Sequence, residues 1–113
     1  MPHEINIVLL GTGSAIPSAK RGCAGVYLHI NGEHLLADAG PGTLRQLARI
    51  GVTHMDIDRV MITHFHPDHC ADLVAILFAM HSSNPKRLKP LFIYGPRGLE
   101  TLLKRLDKAF YGW

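Results

Sequence analysis

The run Ile62-Thr63-His64-Phe65-His66-Pro67-Asp68-His69 sets three imidazoles and a carboxylate within six consecutive positions, 64 to 69. It follows a short β-branched segment, DRVMIT, and precedes an amphipathic pattern from His69 to His81. A fold that accommodates it has a strand tip that turns sharply into a helix. His64 and His66 are two residues apart, so in extended backbone their side chains leave on the same face. Pro67 fixes its own φ and stiffens the turn. Asp68 and His69 fall where the backbone enters the helix, so both can point back to the cleft served by the two histidines.

The flanking sequence reads as strands with interspersed helices. Residues 4–10 (EINIVLL) are short and apolar, as in a buried strand. GTGSAIPSAKRG follows as a long loop rich in Gly, Ser and Pro. GVYLHI and EHLLAD form two strands joined by Asn31-Gly32, a hairpin signal because both residues tolerate positive φ. Residues 43–50 (TLRQLARI) predict a helix with Leu44, Leu47 and Ala48 on one face and Gly51 as its stop. Leu73, Val74, Ile76, Leu77 and Met80 make the apolar side of the helix that runs from His69 to His81. LFIY is a further strand, and Leu99, Leu102, Leu103, Leu106 and Phe110 mark a last amphipathic helix. This order argues for a mixed sheet covered by helices rather than a purely parallel α/β arrangement. Tyr111-Gly112-Trp113 follow that helix at once, which suggests docking or an abrupt cut.

Composition narrows the class. The 113 residues are 47% hydrophobic and 19% charged, enough for one modest domain and too apolar for disorder. No apolar run approaches the roughly 20 residues of a membrane helix, and no basic leader precedes an apolar stretch. The expectation is a soluble cytoplasmic protein with no membrane partner. Cys23 and Cys70 are the only cysteines and give no disulfide framework. Cys70 adjoins the histidine cluster, but free cysteine ordinarily packs as a small hydrophobe. Net charge is +3, and seven of the twelve Lys and Arg residues fall between Lys86 and Lys108. That cluster reads either as a solvated helix face or as a footprint for a polyanion such as RNA.

Three imidazoles and a carboxylate suit a zinc-like ion, with manganese or iron as runners-up through the carboxylate. One tetrahedral ion does not use all four groups and still keep a position for water. Two ions sharing a water divide the set naturally: His64 and His66 for the first, Asp68 and His69 for the second. Paired metals roughly 3.5–4 Å apart clamp both the attacking and the leaving oxygen of a displacement. Asp68 is either a ligand or the group that orients the nucleophilic water, or both through its two oxygens. As a helix cap Asp68 would be ordinary, but capping leaves His64, His66 and His69 unexplained. Gly11-Thr12-Gly13 after a strand suggests a nucleotide-binding turn, yet no third glycine follows and Pro17 interrupts the expected helix. Ser14, Lys20 and Arg21 are placed to meet an anionic substrate or to be solvated.

His64-Phe65-His66-Pro67-Asp68-His69 resembles the HxHxDH signature of metallo-β-lactamase-fold hydrolases. GTGSAIPSAKR (11–21), LLADAGPGTLRQL (35–47) and LFIYGPRGL (91–99) are similar to segments of the ribonuclease Z-like branch of that family. The resemblance implies an αββα sandwich of which this chain forms about half. It implies one or two metal ions, usually zinc, and hydrolysis of phosphodiesters, thioesters, sulfate esters or lactams. It assigns metal binding to His64, His66, Asp68 and His69, a catalytic role to Asp68, and support from the second shell to Asp38. From the residues alone, Asp38 would be a turn residue capping Gly40-Pro41-Gly42. The tRNA-processing members usually carry Gly where this chain has Pro67, and CADLVAILFAMH departs from their continuation. The implied substrate is a phosphodiester, RNA or a more general one, with an arylsulfate as the alternative.

The resemblance also implies that a further histidine, a bridging aspartate and a last histidine come from sequence beyond this chain, residues 1–113 being an N-terminal half. No local histidine replaces them. His81 lies three helical turns past His69, roughly 18 Å away at 1.5 Å per residue. His54 precedes the key strand at its far end, His29 and His34 flank the hairpin, and His3 is terminal. A half-fold leaves apolar sheet surface uncovered, so self-association or a missing C-terminal half is expected. The reading from a different class is a non-catalytic assembly module that binds metal weakly through a half-site.

Overall fold

The computed structural model describes residues 4–16 and 18–110. Pro17 and the terminal Tyr111, Gly112 and Trp113 lie outside the described residues. Strands β1 (Ile5–Gly11), β2 (Gly25–Ile30), β3 (Glu33–Ala37), β4 (Arg59–Met61) and β5 (Phe92–Tyr94) form one sheet in sequence order. β1, β2 and β3 pair antiparallel, while β3, β4 and β5 pair parallel. The sheet is therefore mixed, as the hairpin-then-crossover order predicts. Asn31 (φ 49°) and Gly32 (φ 82°) both take positive φ and make the tight β2–β3 turn.

Helix α1 (Thr43–Arg49) connects β3 to β4 and ends before Gly51, whose φ is 78°. Two helices, α2 (Pro67–Cys70) and α3 (Asp72–Ser82), connect β4 to β5, and α4 (Leu99–Ala109) follows β5. The helix expected from His69 to His81 thus starts two residues earlier and is interrupted at Ala71. The interruption has a backbone cause. The Asp72 N–H donates to the Ala39 carbonyl (2.9 Å), and the His69 carbonyl accepts from the Ala39 N–H (2.7 Å). These bonds to another segment break the helical ladder. Among the described residues no helix is long and apolar enough to cross a membrane.

The core lies on the helix-covered face of the sheet. Leu36 and Val60 of the sheet, Leu47 of α1 and Leu73 and Ile76 of α3 are fully buried and belong to one cluster. The opposite face is open and mostly apolar, crossed by the Arg59–Glu33 ion pair with Arg59 lying over Phe92 and Tyr94. Ile5, Ile7 and Leu9 are 59–64% exposed, and Phe92 and Tyr94 nearly half exposed. Between them the register sets Leu28, Leu35, Ala37 and Met61 on the same side.

The basic cluster divides on folding. Arg87 is only 9% exposed. Its guanidinium donates to the carbonyls of His54, Met55, Ile57, Lys89 and Pro90 at 2.5–3.2 Å. It ties the segment before β4 to the segment before β5. Burial pushes its pKa below the usual value, against the pull of Asp58 and Asp56. Lys89 pairs with Asp58 (2.9 Å), and Lys104 with Glu100 on exposed α4 (3.0 Å). The Arg87→Ala variant strands these carbonyls, so chemical denaturation should show a loss of about 3 kcal/mol. Arg87→Lys cannot reproduce the planar fork and should recover only part of it.

Candidate functional site

The parallel register brings the ends of β3 and β4 side by side, with Ala37 opposite Met61. The chain leaves β3 at Asp38 and β4 at Ile62-Thr63, so both exits open at the same end of the sheet, beyond the carboxyl ends of these two interior strands. Crevices outside the carboxyl ends of parallel strands are where such sheets bind ligands. Asp38 has φ 63°, an uncommon backbone for a residue with a Cβ. Its N–H donates to the Met61 carbonyl (2.7 Å), which pins the turn to β4.

That geometry aims the Asp38 carboxylate, 7% exposed as a residue, at Thr63 and His69. The Thr63 N–H donates to Asp38 Oδ1 at 2.7 Å, and Thr63 Oγ1 lies 3.0 and 2.8 Å from Oδ1 and Oδ2. His69 Nδ1 lies 2.7 Å from Oδ2. Burial raises the carboxyl pKa, but the Thr63 N–H, His69 and the Thr63 hydroxyl together outweigh it and hold the group below its ordinary value. An ionised carboxylate accepts only, so His69 carries a proton on Nδ1, and in the neutral ring the lone pair then falls on Nε2. Nε2 faces Asp68, whose Oδ2 is 3.5 Å away. The His64 ring lies 4.1 Å from the His69 ring and 4.8 Å from the His66 ring, centroid to centroid. All four residues are at least partly solvent-accessible.

The loop after Asp38 holds the motif in place. A Cβ at Gly40 would lie 2.2 Å from the Asp68 carbonyl oxygen, so only glycine lets the two backbones approach so closely. The Asp72 carboxylate accepts from the N–H groups of Gly42 (3.3 Å) and Leu44 (2.6 Å) and caps α1 from another helix. Thr63 and Asp72 are the residues that sequence reasoning passes over. A polar residue before the motif and an acid at a helix start were the only signals for them.

The other singled-out residues lie elsewhere. His29 and His34 stack on each other at 4.4 Å beside the hairpin, and Tyr27 Oη lies 2.6 Å from His34 Nδ1. His54 sits by Arg87, with a buried Nε2 that lacks a protein partner among the described residues. His81 packs near Phe78 on α3. Ser14 Oγ bonds within its own loop, while Lys20 and Arg21 are exposed. Cys23 and Cys70 are free, Cys23 is buried, and burial raises the Cys70 thiol pKa, as do Asp38 and Asp68.

The donor set suits a divalent ion in chemistry: neutral imidazoles, one with its tautomer fixed, and a carboxylate beside it. Among the described residues, however, no group of three or more His, Cys, Asp or Glu forms a site able to hold an ion by itself.

A protein-family model described as "Anti-Pycsar protein Apyc1" matches residues 5–108. Ribonuclease Z of Pyrococcus horikoshii is 43% identical over 107 residues, 95% of this chain and 34% of that protein. The structure of the short form of human tRNase Z superposes with a TM-score of 0.80 at 36% identity, over 95% of this chain and 41% of that one. The metallo-β-lactamase-fold protein YhfI of Bacillus subtilis superposes with a TM-score of 0.78 at 27% identity, over 88% and 42% of the two chains. The chain thus spans about a third of the length of its curated relatives.

Asp38 is a carboxylate with a lowered pKa, so the stability it contributes is fully present above its ordinary titration range. That contribution is lost as pH falls below the ordinary carboxylate range and through the lowered folded-state value. In acid titrations followed by circular dichroism, Asp38→Asn should remove this part of the acid-induced loss of stability and lower the stability at pH 7.

Proposed function

We propose, from the premise that this chain belongs to the Anti-Pycsar protein Apyc1 family and to the ribonuclease Z-like branch of metallo-β-lactamase-fold hydrolases, that it is the N-terminal part of a metal-dependent phosphodiesterase acting on RNA. The observation that carries this reading is the Asp38–His69 bond of 2.7 Å. It leaves His69 Nε2 free for an ion next to Asp68 and within a cluster of three imidazoles.

His64 and His66 hold one ion, and Asp68 and His69 hold a second, with zinc favoured over manganese or iron by the donor types. Each pair is too few for a tight site, so the remaining ligands come from sequence beyond residue 113, which relatives of roughly three times this length possess. Bound ions supply positive charge that acidifies a water and offsets the charge growing at phosphorus. The chain's own residues orient and exchange protons. Asp68 positions the attacking water and takes its proton. Asp38 keeps His69 in one tautomer throughout.

The RNA substrate follows from relatives named ribonuclease Z at about 40% identity. A smaller phosphodiester is the second reading, favoured by Pro67 and by a family model that does not carry the ribonuclease Z name. The two free cysteines agree with a reducing, cytoplasmic setting. The complete protein, loaded with zinc, should cleave a 3′-extended tRNA precursor faster than a chromogenic phosphodiester. The reverse order favours the second reading, and turnover of neither contradicts both. Asp68→Ala should lower kcat by roughly 10²–10⁴-fold.

The open apolar sheet face is covered by the rest of the fold in the complete protein. Residues 1–113 alone should therefore associate through Ile5, Ile7 and Leu9 and turn over nothing. Light scattering should show oligomers at micromolar concentration and a return to monomer in Ile7→Lys/Leu9→Lys; a clean wild-type monomer would contradict this.

A further inference from the structure

Thr63 has more neighbours than a single hydroxyl proton can serve. Its Oγ1 lies 2.8 and 3.0 Å from the two Asp38 oxygens and 3.0 Å from His64 Nδ1. The carboxylate accepts only, and a hydrogen bond to a charged acceptor is roughly twice as strong as a neutral one. The hydroxyl proton therefore goes to Asp38. If it went to His64 instead, an oxygen lone pair would face two carboxylate oxygens with no proton between them. With the proton on Asp38, Oγ1 has only lone pairs left for His64, so His64 Nδ1 must be the donor.

We propose that Thr63 is a positioning residue that relays the Asp38 charge to His64 and fixes the proton of its neutral ring on Nδ1. His69 receives the same instruction directly from Asp38. One buried carboxylate thus sets two rings 4.1 Å apart so that both offer Nε2. The backbone N–H of Thr63, bonded to Asp38 Oδ1 at 2.7 Å, keeps the hydroxyl in register with the carboxylate. The usefulness of this relay for metal binding rests on the function proposed above; the relay itself does not.

Long-range ¹H–¹⁵N spectra of the metal-free complete protein above the histidine titration range report which nitrogen of each ring is protonated. His64 should carry its proton on Nδ1. A wild-type His64 protonated on Nε2 overturns the relay without any variant being made. Thr63→Val keeps the shape and removes the hydroxyl, so His64 should become a tautomer mixture while His69 keeps its Nδ1 proton. Thr63→Ser should restore the wild-type pattern. In zinc competition with a chromogenic chelator, Thr63→Val should weaken binding roughly 10–100-fold, and Thr63→Ser should bind like the wild type. An unchanged His64 tautomer and unchanged zinc affinity in Thr63→Val refute the proposal. A wild-type protein that shows the tautomer pattern, loses it in Thr63→Val and binds no zinc supports the relay and rejects the metal function instead.

Discussion

The contact between the Asp38 carboxylate and the first residues after β4 organises the site. A carboxylate with 7% residue exposure is costly to bury unless its oxygens are satisfied. Here a backbone N–H, a hydroxyl and an imidazole satisfy them, all from residues 63 to 69. The arrangement needs Asp38 in a left-handed backbone, which costs of order 1–3 kcal/mol and persists only where neighbours enforce it. The bonds from Asp38 N–H to Met61 and from Ala39 N–H to His69 provide that enforcement. Strain and charge are thus concentrated at the one place where the fold gathers three imidazoles.

Topology makes the contact available. Parallel pairing of β3 with β4 puts two chain exits next to each other, although Asp38 and Thr63 are 25 residues apart. The β2–β3 hairpin sets the register of β3, and α1 returns the chain across the helix-covered face. Gly40 and Asp72 then join the turn to the motif helices, one by lacking a Cβ and the other by capping α1 across space. The interruption at Ala71 is a consequence of this joining.

Local pattern made much of this legible. A short apolar run located β1, although its Ile5, Ile7 and Leu9 are exposed rather than buried; Asn31-Gly32 located the β2–β3 hairpin, and the 3.6-residue stripe in α3 located Leu73, Ile76 and Met80. The four motif residues stood out because few other roles explain three histidines and an aspartate so close together. Asp38 was legible only through family resemblance, because a lone aspartate before a Gly-Pro-Gly turn has an ordinary reading. Nothing local to residues 63 and 72 reveals that their partners lie 25 or more positions away. The fate of Arg87 was hidden for the same reason. A basic cluster looks solvated until the fold closes backbone carbonyls around one of its members.

The central proposal is that His64 and His66 face one divalent ion and Asp68 and His69 a second, with Asp38 behind His69. Anomalous diffraction at the zinc edge from crystals of the zinc-loaded complete protein tests it most directly. The account predicts one peak about 2.0–2.1 Å from His69 Nε2, beside Asp68 and on the side away from Asp38, and a second within reach of the His64 and His66 rings. Zinc bound at the His29–His34 pair, with none in the cleft beyond β4, would contradict it.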